Sequence, residues 1–292
     1  MNVSFILPRA LSTDPDAELA QWMAQSGFDL VDTEAEWSDA GIAAVQDAGV
    51  RLGPLRVRAS LADSHAATRK EAIDNACAAL DRAKTLGIAT VWTLTRNFRN
   101  DSPQRENFAR ALETLPEVVR HAESVGVRIA IENCPFSGQN PVCTPEAWDA
   151  LFAAIPSDHL GICFDPSHCI WQGIDIDRAI REYGHRFVHL HAKDTEILGD
   201  GLFRFGVEGP QIGDTTVEDG WTKHGWWRHR LPGLGDVDWN RMISAVLDQG
   251  YDGAITIEHE DPIWSGSPDV IRRGLVRSRQ YLATMIPQGG TR

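Results

Sequence analysis

Four apolar, strand-length runs in the second half of the chain each end on a residue able to ligate a metal. Glu132 closes Val127–Ile131, Asp165 closes Leu160–Phe164, His191 closes Phe187–Leu190, and Glu258 closes Ala254–Ile257. Three carboxylates and one imidazole make a hard donor set. It suits Mn²⁺ first, then Mg²⁺ or Co²⁺, although the general affinity order lets Zn²⁺ compete. A metal held this way keeps coordination positions for substrate oxygens. It can polarise a carbonyl and stabilise the enediolate formed when the neighbouring C–H loses its proton. One strand-end Glu or Asp is commonly a cap or an ion-pair partner. Four at the same end of successive strands have no structural reason to share a rim. They meet only if the strands run parallel, because the C-terminal strand ends of a parallel barrel form its working face.

The rest of the chain supplies elements that would build such a barrel. Strand candidates fall near 3–7, 28–33, 52–57, 88–94, 127–132, 160–164, 187–191 and 254–258, the eight that closure requires. Helical patterns lie between or after them near 14–26, 37–48, 64–86, 103–125, 145–154, 175–184, 239–249 and 268–284. Gly27, Gly49, Gly87 and Gly250 follow helices, where a left-handed residue ends the last turn. In the helix near 64–86, Ser64 is the candidate cap, and Ala72, Ile73, Ala76, Cys77, Leu80, Ala83 and Leu86 form an apolar stripe. We therefore expect an α/β protein, a single (β/α)8 barrel domain over residues 1–292. A doubly wound open sheet is the rival. It usually carries a glycine-rich phosphate turn after its first strand, and Leu7-Pro8-Arg9-Ala10 stands there instead.

Composition narrows the function. With 42% hydrophobic residues, 24% charged residues and a net charge of −13, the chain reads as a soluble globular protein. That charge disfavours nucleic acid and anionic membranes as partners and favours a small molecule. The first residues lack a basic n-region and a long apolar core, so a cytoplasmic location is expected. Five cysteines without a C-x-x-C pair, Cys77, Cys134, Cys143, Cys163 and Cys169, read as buried free thiols.

One connection is long. Residues 194–238, between the seventh strand and its helix, are rich in glycine and aromatic residues and hold Trp221, Trp226, Trp227, Arg228, His229 and Arg230. Long loops in compact domains tend to be functional, and Trp226, Arg228 and His229 are candidate substrate contacts there. The alternative is a surface excursion packed by its own tryptophans, or a subunit contact.

Ile131-Glu132-Asn133, Phe164-Asp165-Pro166-Ser167-His168, His191-Ala192-Lys193-Asp194 and Ile257-Glu258-His259-Glu260 together resemble the signature of the xylose isomerase-like TIM barrel superfamily of sugar isomerases, ketose epimerases and inosose dehydratase. Leu231 to Trp239 is also similar to it. The resemblance implies that Glu132, Asp165, His191 and Glu258 bind the metal, that the two glutamates serve as acid and base, and that His168 touches substrate. It also makes a homo-oligomer plausible. Lys193, two residues past His191, can bind a substrate oxygen or pair with a carboxylate. Departures limit the transfer. Ketose epimerases place an arginine six residues after the histidine ligand, where this chain has Ile197. The sister endonucleases bind three zinc ions through further histidines, and the fourth strand here ends Val91-Trp92-Thr93-Leu94 without one.

The leading expectation is thus isomerisation or epimerisation of a sugar by proton transfer alpha to a carbonyl, with Glu132 and Glu258 as the acid–base pair and His168 and Lys193 assisting. The same carbanion with a beta leaving group would make a dehydratase or lyase acting on a keto-sugar, an inosose or a 3-keto-glycoside. A non-catalytic sugar-binding barrel is the reading from another class. His259-Glu260-Asp261 either orients the ligands or is a polar entrance to the last helix.

Overall fold

The computed structural model describes residues 1–136, 139–208 and 225–287. The elements run β1 (Asn2–Phe5), α1 (Ala17–Gln25), β2 (Leu30–Glu34), α2 (Asp39–Asp47), β3 (Arg51–Arg56), α3 (Ala66–Thr85), β4 (Thr90–Thr93), α4 (Gln104–Val125), β5 (Arg128–Glu132) and α5 (Pro145–Ala154). They continue β6 (Leu160–Phe164), α6 (Pro166–Gln172), α7 (Ile176–Tyr183), β7 (Phe187–Ala192), β8 (Asp194–Ile197), α8 (Gly199–Phe205), β9 (Trp227–Arg230), α9 (Trp239–Asp248), β10 (Ala254–Ile257) and α10 (Pro268–Ala283).

Eight strands form one parallel sheet in the order β1-β10-β7-β6-β5-β4-β3-β2, a nearly closed barrel with the helices around it. Side chains join the two end strands: the Ser4 hydroxyl on β1 donates to Asp32 Oδ1 on β2 at 2.8 Å. The same carboxylate accepts Thr256 Oγ1 from β10 at 2.8 Å and faces His189 Nε2 of β7 at 3.1 Å. A buried carboxylate is expensive without partners, and here three strands supply them.

Several helices form where an apolar stripe meets a start and a stop signal. In α1, Asp16 accepts from the Leu19 N–H at 2.8 Å, Leu19, Ala20 and Met23 face the barrel, and Gly27 at φ +78° turns the chain toward β2. Fully burying each leucine or methionine contributes about 1.5–3 kcal/mol. Helix α3 buries Ala72, Ala76, Leu80 and Ala83 of its expected stripe. Its cap differs from expectation: Ser64 donates to Asp101 at 2.7 Å, and His65 takes the N-cap position with its N–H on Asp63 at 2.8 Å. All five cysteines are free, but only Cys163 and Cys169 are fully buried.

The long connection after β7 contains an antiparallel ribbon and a short helix. β8 pairs β9 through Asp194↔Arg230, Thr195↔His229, Glu196↔Arg228 and Ile197↔Trp227. Its return toward the barrel is clamped by Asp194, whose carboxylate accepts the Thr195, Gly233 and Val237 N–H groups and the Trp239 indole at 2.8–3.0 Å. A Cβ at Gly235 would collide with Asp194 and the Thr195 carbonyl, so only glycine allows this approach. Among the described residues, no helix is long and apolar enough to cross a membrane.

Candidate metal centre

The ends of β5, β6, β7 and β10 deliver Glu132, Asp165, His191 and Glu258 to one place, with a donor atom from each within 4.8 Å of all the others. Local structure fixes their directions. The Asp165 N–H donates to Asn133 Oδ1 at 2.7 Å, and Asn133 Nδ2 donates back to the Asp165 carbonyl at 3.0 Å. Asp165 Oδ1 caps α6 by accepting the Ser167 N–H at 2.9 Å. Its Oδ2 is buried and accepts no hydrogen bond from the described residues. Asn140 Nδ2 holds the Glu132 carbonyl at 2.9 Å. His191 Nδ1 lies 3.0 Å from Glu132 Oε1 and 3.7 Å from Glu258 Oε2, and Trp92 meets the imidazole edge-on at 4.5 Å.

This arrangement concentrates negative charge. Lys193, 2% exposed, places Nζ 2.6 Å from Glu258 Oε2, 3.1 Å from Glu260 Oε2 and 3.2 Å from Asp165 Oδ2. The last contact is off the hydrogen-bonding direction, which leaves Asp165 Oδ2 free to face a cation. Burial alone would favour the neutral lysine, yet Asp165, Glu258 and Glu260 hold its pKa well above the ordinary value. Burial likewise opposes ionisation of Glu258, and Lys193 and His191 outweigh it, keeping the carboxylate below its usual range. His191 is desolvated, but Glu132, Glu258 and Asp165 raise it to about 9. Burial, reinforced by Glu258, pushes Glu260 up to about 7 against the pull of Lys193. The pocket thus attracts positive charge beyond its one lysine. Four convergent donors, one of them a buried carboxylate oxygen that accepts no hydrogen bond from the described residues, fit a divalent cation.

The other expected site residues divide. His168 on α6 is buried beside the cluster, its Nε2 3.4 Å from Asp165 Oδ2, and burial with repulsion from Lys193 lowers it to about 3, so the ring is neutral. His229 reaches the same wall, its Nε2 3.7 Å from Glu260 Oε2 and its ring 5.6 Å from that of His168. Trp226 is buried one residue outside this wall, donating from Nε1 to the Val207 carbonyl at 3.2 Å and packing on Trp227 at 6.5 Å. Arg228 is not brought to the cluster: side chains alternate along β9, and Arg228 points with Arg230 to the other face, where both bind Glu196. Trp221 lies outside the described residues. Sequence reasoning overlooked Trp171, which stacks at 4.8 Å and 1° on Trp227 of the long connection, beside His229 and His168. It also overlooked Arg56 at the end of β3, which lies in the field of Glu258 and Glu132. A strand-end search for metal donors could not find Arg56, because a guanidinium does not ligate a cation. Glu260 stood among the residues with an open role, and the structure puts it on Lys193.

Comparison with known proteins bears on the fold and the family. The chain is 34% identical over 159 residues to the uncharacterized protein YfiH of Bacillus subtilis (strain 168), covering 52% of this chain and 46% of that one. It is 22% identical over 198 residues to the fructoselysine 3-epimerase of Escherichia coli O157:H7, covering 68% and 62%. The chain spans about half the length of the first curated relatives it matches. A crystal structure of D-psicose 3-epimerase in the presence of D-fructose superposes with a TM-score of 0.73 over 98% of this chain and 99% of that one, at 16% identity. The profile of the xylose isomerase-like TIM barrel matches residues 20–281, and the chain belongs to that family.

Proposed function

We propose that this protein is a divalent-metal-dependent sugar isomerase or epimerase that moves a proton alpha to a carbonyl, and that residues 1–292 form one domain. The observation that carries the reading is the convergence of Glu132 and Glu258, from strands separated by β6 and β7, on one donor cluster with Asp165 and His191. These four residues would hold the ion, Mn²⁺ first, with Mg²⁺, Co²⁺ or Zn²⁺ as alternatives. When bound, it would polarise a substrate carbonyl and lower the cost of charge on its oxygen.

The chain's own residues divide the remaining work. Glu132 and Glu258 exchange the proton with the substrate carbon, one removing it and the other returning it. Lys193 keeps Glu258 ionised and aimed through its 2.6 Å hydrogen bond. Neutral His168 bonds a substrate hydroxyl without adding charge to a crowded pocket. Trp171, Trp227 and His229 form an aromatic wall suited to the apolar face of a sugar ring. The epimerases named among the similar proteins support this reading.

Incubating the Mn²⁺-loaded protein in D₂O with ketoses, inososes and 3-keto-glycosides tests it by NMR. Deuterium should enter the carbon next to the carbonyl with substrate mass otherwise conserved. Glu132→Gln and Glu258→Gln should each abolish exchange. Persistent turnover with both glutamates replaced would refute the assignment, and a released second product would place the protein among the eliminating enzymes.

A further inference from the structure

The mouth of the barrel carries a cationic corner that the proton-transfer chemistry does not use. Arg56 ends β3, Arg58 follows two residues later, and Arg96 follows β4. With Trp92 and Thr93 they line a niche of about 10 Å³, room for one oxygen-sized group. The niche adjoins the metal centre, because Trp92 has the Arg56 guanidinium over its ring at 5.0 Å and touches His191 at 4.5 Å.

The three arginines differ in what satisfies them. Arg56 lies 3.4 Å from Glu34, and Arg58 lies 2.9 Å from Glu34 and 3.1 Å from Glu36. Arg96 is only 8% exposed, and among the described residues no carboxylate or hydrogen-bond acceptor meets it. Its guanidinium is instead sandwiched between Phe98 at 4.0 Å and Phe136 at 4.1 Å. Aromatic rings cover the two faces of a guanidinium, whereas its N–H donors point outward in the plane. Its in-plane donors, unbonded among the described residues, still reach solvent, so an acceptor arriving from outside can meet a guanidinium whose faces are already covered. Burial, with repulsion from Arg56 and Arg58, lowers Arg96 to about 10, so it remains charged at neutral pH.

We propose that Arg96, with Arg56 and Arg58, is an anion subsite, and that the natural substrate is a sugar bearing a phosphate or carboxylate group rather than a neutral ketose. The assignment rests on a sugar occupying the metal centre. It deepens that reading by naming the substrate class.

The test is calorimetric binding to the Mn²⁺-loaded protein of D-fructose, fructose 1-phosphate, fructose 6-phosphate and 5-keto-gluconate, with inorganic phosphate as a probe of the anion alone. A charge-assisted arginine contact corresponds to about a 10–100-fold gain, so at least one anionic sugar should bind that much more tightly than D-fructose. Preference for the phosphate esters identifies a phosphate substrate, and preference for the keto acid identifies a carboxylate. Arg96→Gln should collapse the anionic-to-neutral ratio to within about threefold, and Arg96→Lys should restore part of it because it keeps the charge but loses the fork. Circular dichroism and Mn²⁺ stoichiometry establish that each variant is folded and loaded. Equal affinity for charged and neutral sugars overturns the proposal. So does a preference that survives both Arg96→Gln and the Arg56→Gln/Arg58→Gln/Arg96→Gln triple replacement, since the anion would then be held outside this corner. Binding is read without turnover, so a protein inert toward every ketose but selective for anions through Arg96 sinks the proposed reaction and not the subsite.

Discussion

Replacing Lys193 by methionine removes a buried ammonium from the centre of the site while keeping most of its volume. The ammonium is 2% exposed and stands within 2.6–3.2 Å of Glu258, Glu260 and Asp165. Deleting one partner of a buried ion pair leaves an uncompensated charge and costs about 3–5 kcal/mol. At about 2 °C per kcal/mol for a domain of this size, the metal-free variant should melt roughly 6–10 °C below the parent. Metal should offset much of that loss, because a divalent ion restores positive charge beside the same carboxylates. Thermal melts of both proteins in EDTA and in saturating Mn²⁺ provide the assay, and the variant should gain more from Mn²⁺ than the parent does. If the metal-free proteins melt within about 2 °C of each other and gain equally from Mn²⁺, Lys193 does not balance this charge and the electrostatic account fails.

Two further perturbations probe the elements that hold the site. Asp194→Ala strands three backbone N–H groups and the Trp239 indole, and at about 1–3 kcal/mol for each donor left buried without water it should cost at least 3 kcal/mol in urea melts. Because β8 carries the ribbon that brings His229 to the wall, that variant should also expose the ribbon amides to faster hydrogen exchange. Asp32→Ala at the barrel seam should cost about 2–5 kcal/mol by orphaning Ser4, Thr256 and His189, and Asp32→Asn should recover part of the loss.

The strands that carry the candidate metal donors were legible because each combines an apolar run with a hard donor at its C-terminal end, a pattern that depends only on neighbours in sequence. The longer helices were legible for the same reason, and the expected 145–154 matches Pro145–Ala154, whereas the seven-residue helices α6 and α8 are too short to show a period and were missed. The β8–β9 ribbon was not, since Glu196 and Arg228 become partners only when a long excursion folds back. Without that pairing Arg228 reads as a substrate contact, although Glu196 already occupies it. Ser64 shows a local rule overridden by a distant partner, Asp101. Arg56 and Arg96 escaped notice because a search for metal donors passes over cations. They come together only when the end of β3 and the loop after β4 meet beside Trp92.

The most direct test of the account is a crystal of the protein soaked in Mn²⁺ and measured for anomalous scattering. The account predicts one strong peak at the C-terminal mouth of the barrel, about 2.0–2.4 Å from donor atoms of Glu132, Asp165, His191 and Glu258 together. A fully soaked crystal with no peak there, or an ion bound elsewhere while these four side chains stay linked to one another and to Lys193, would contradict it.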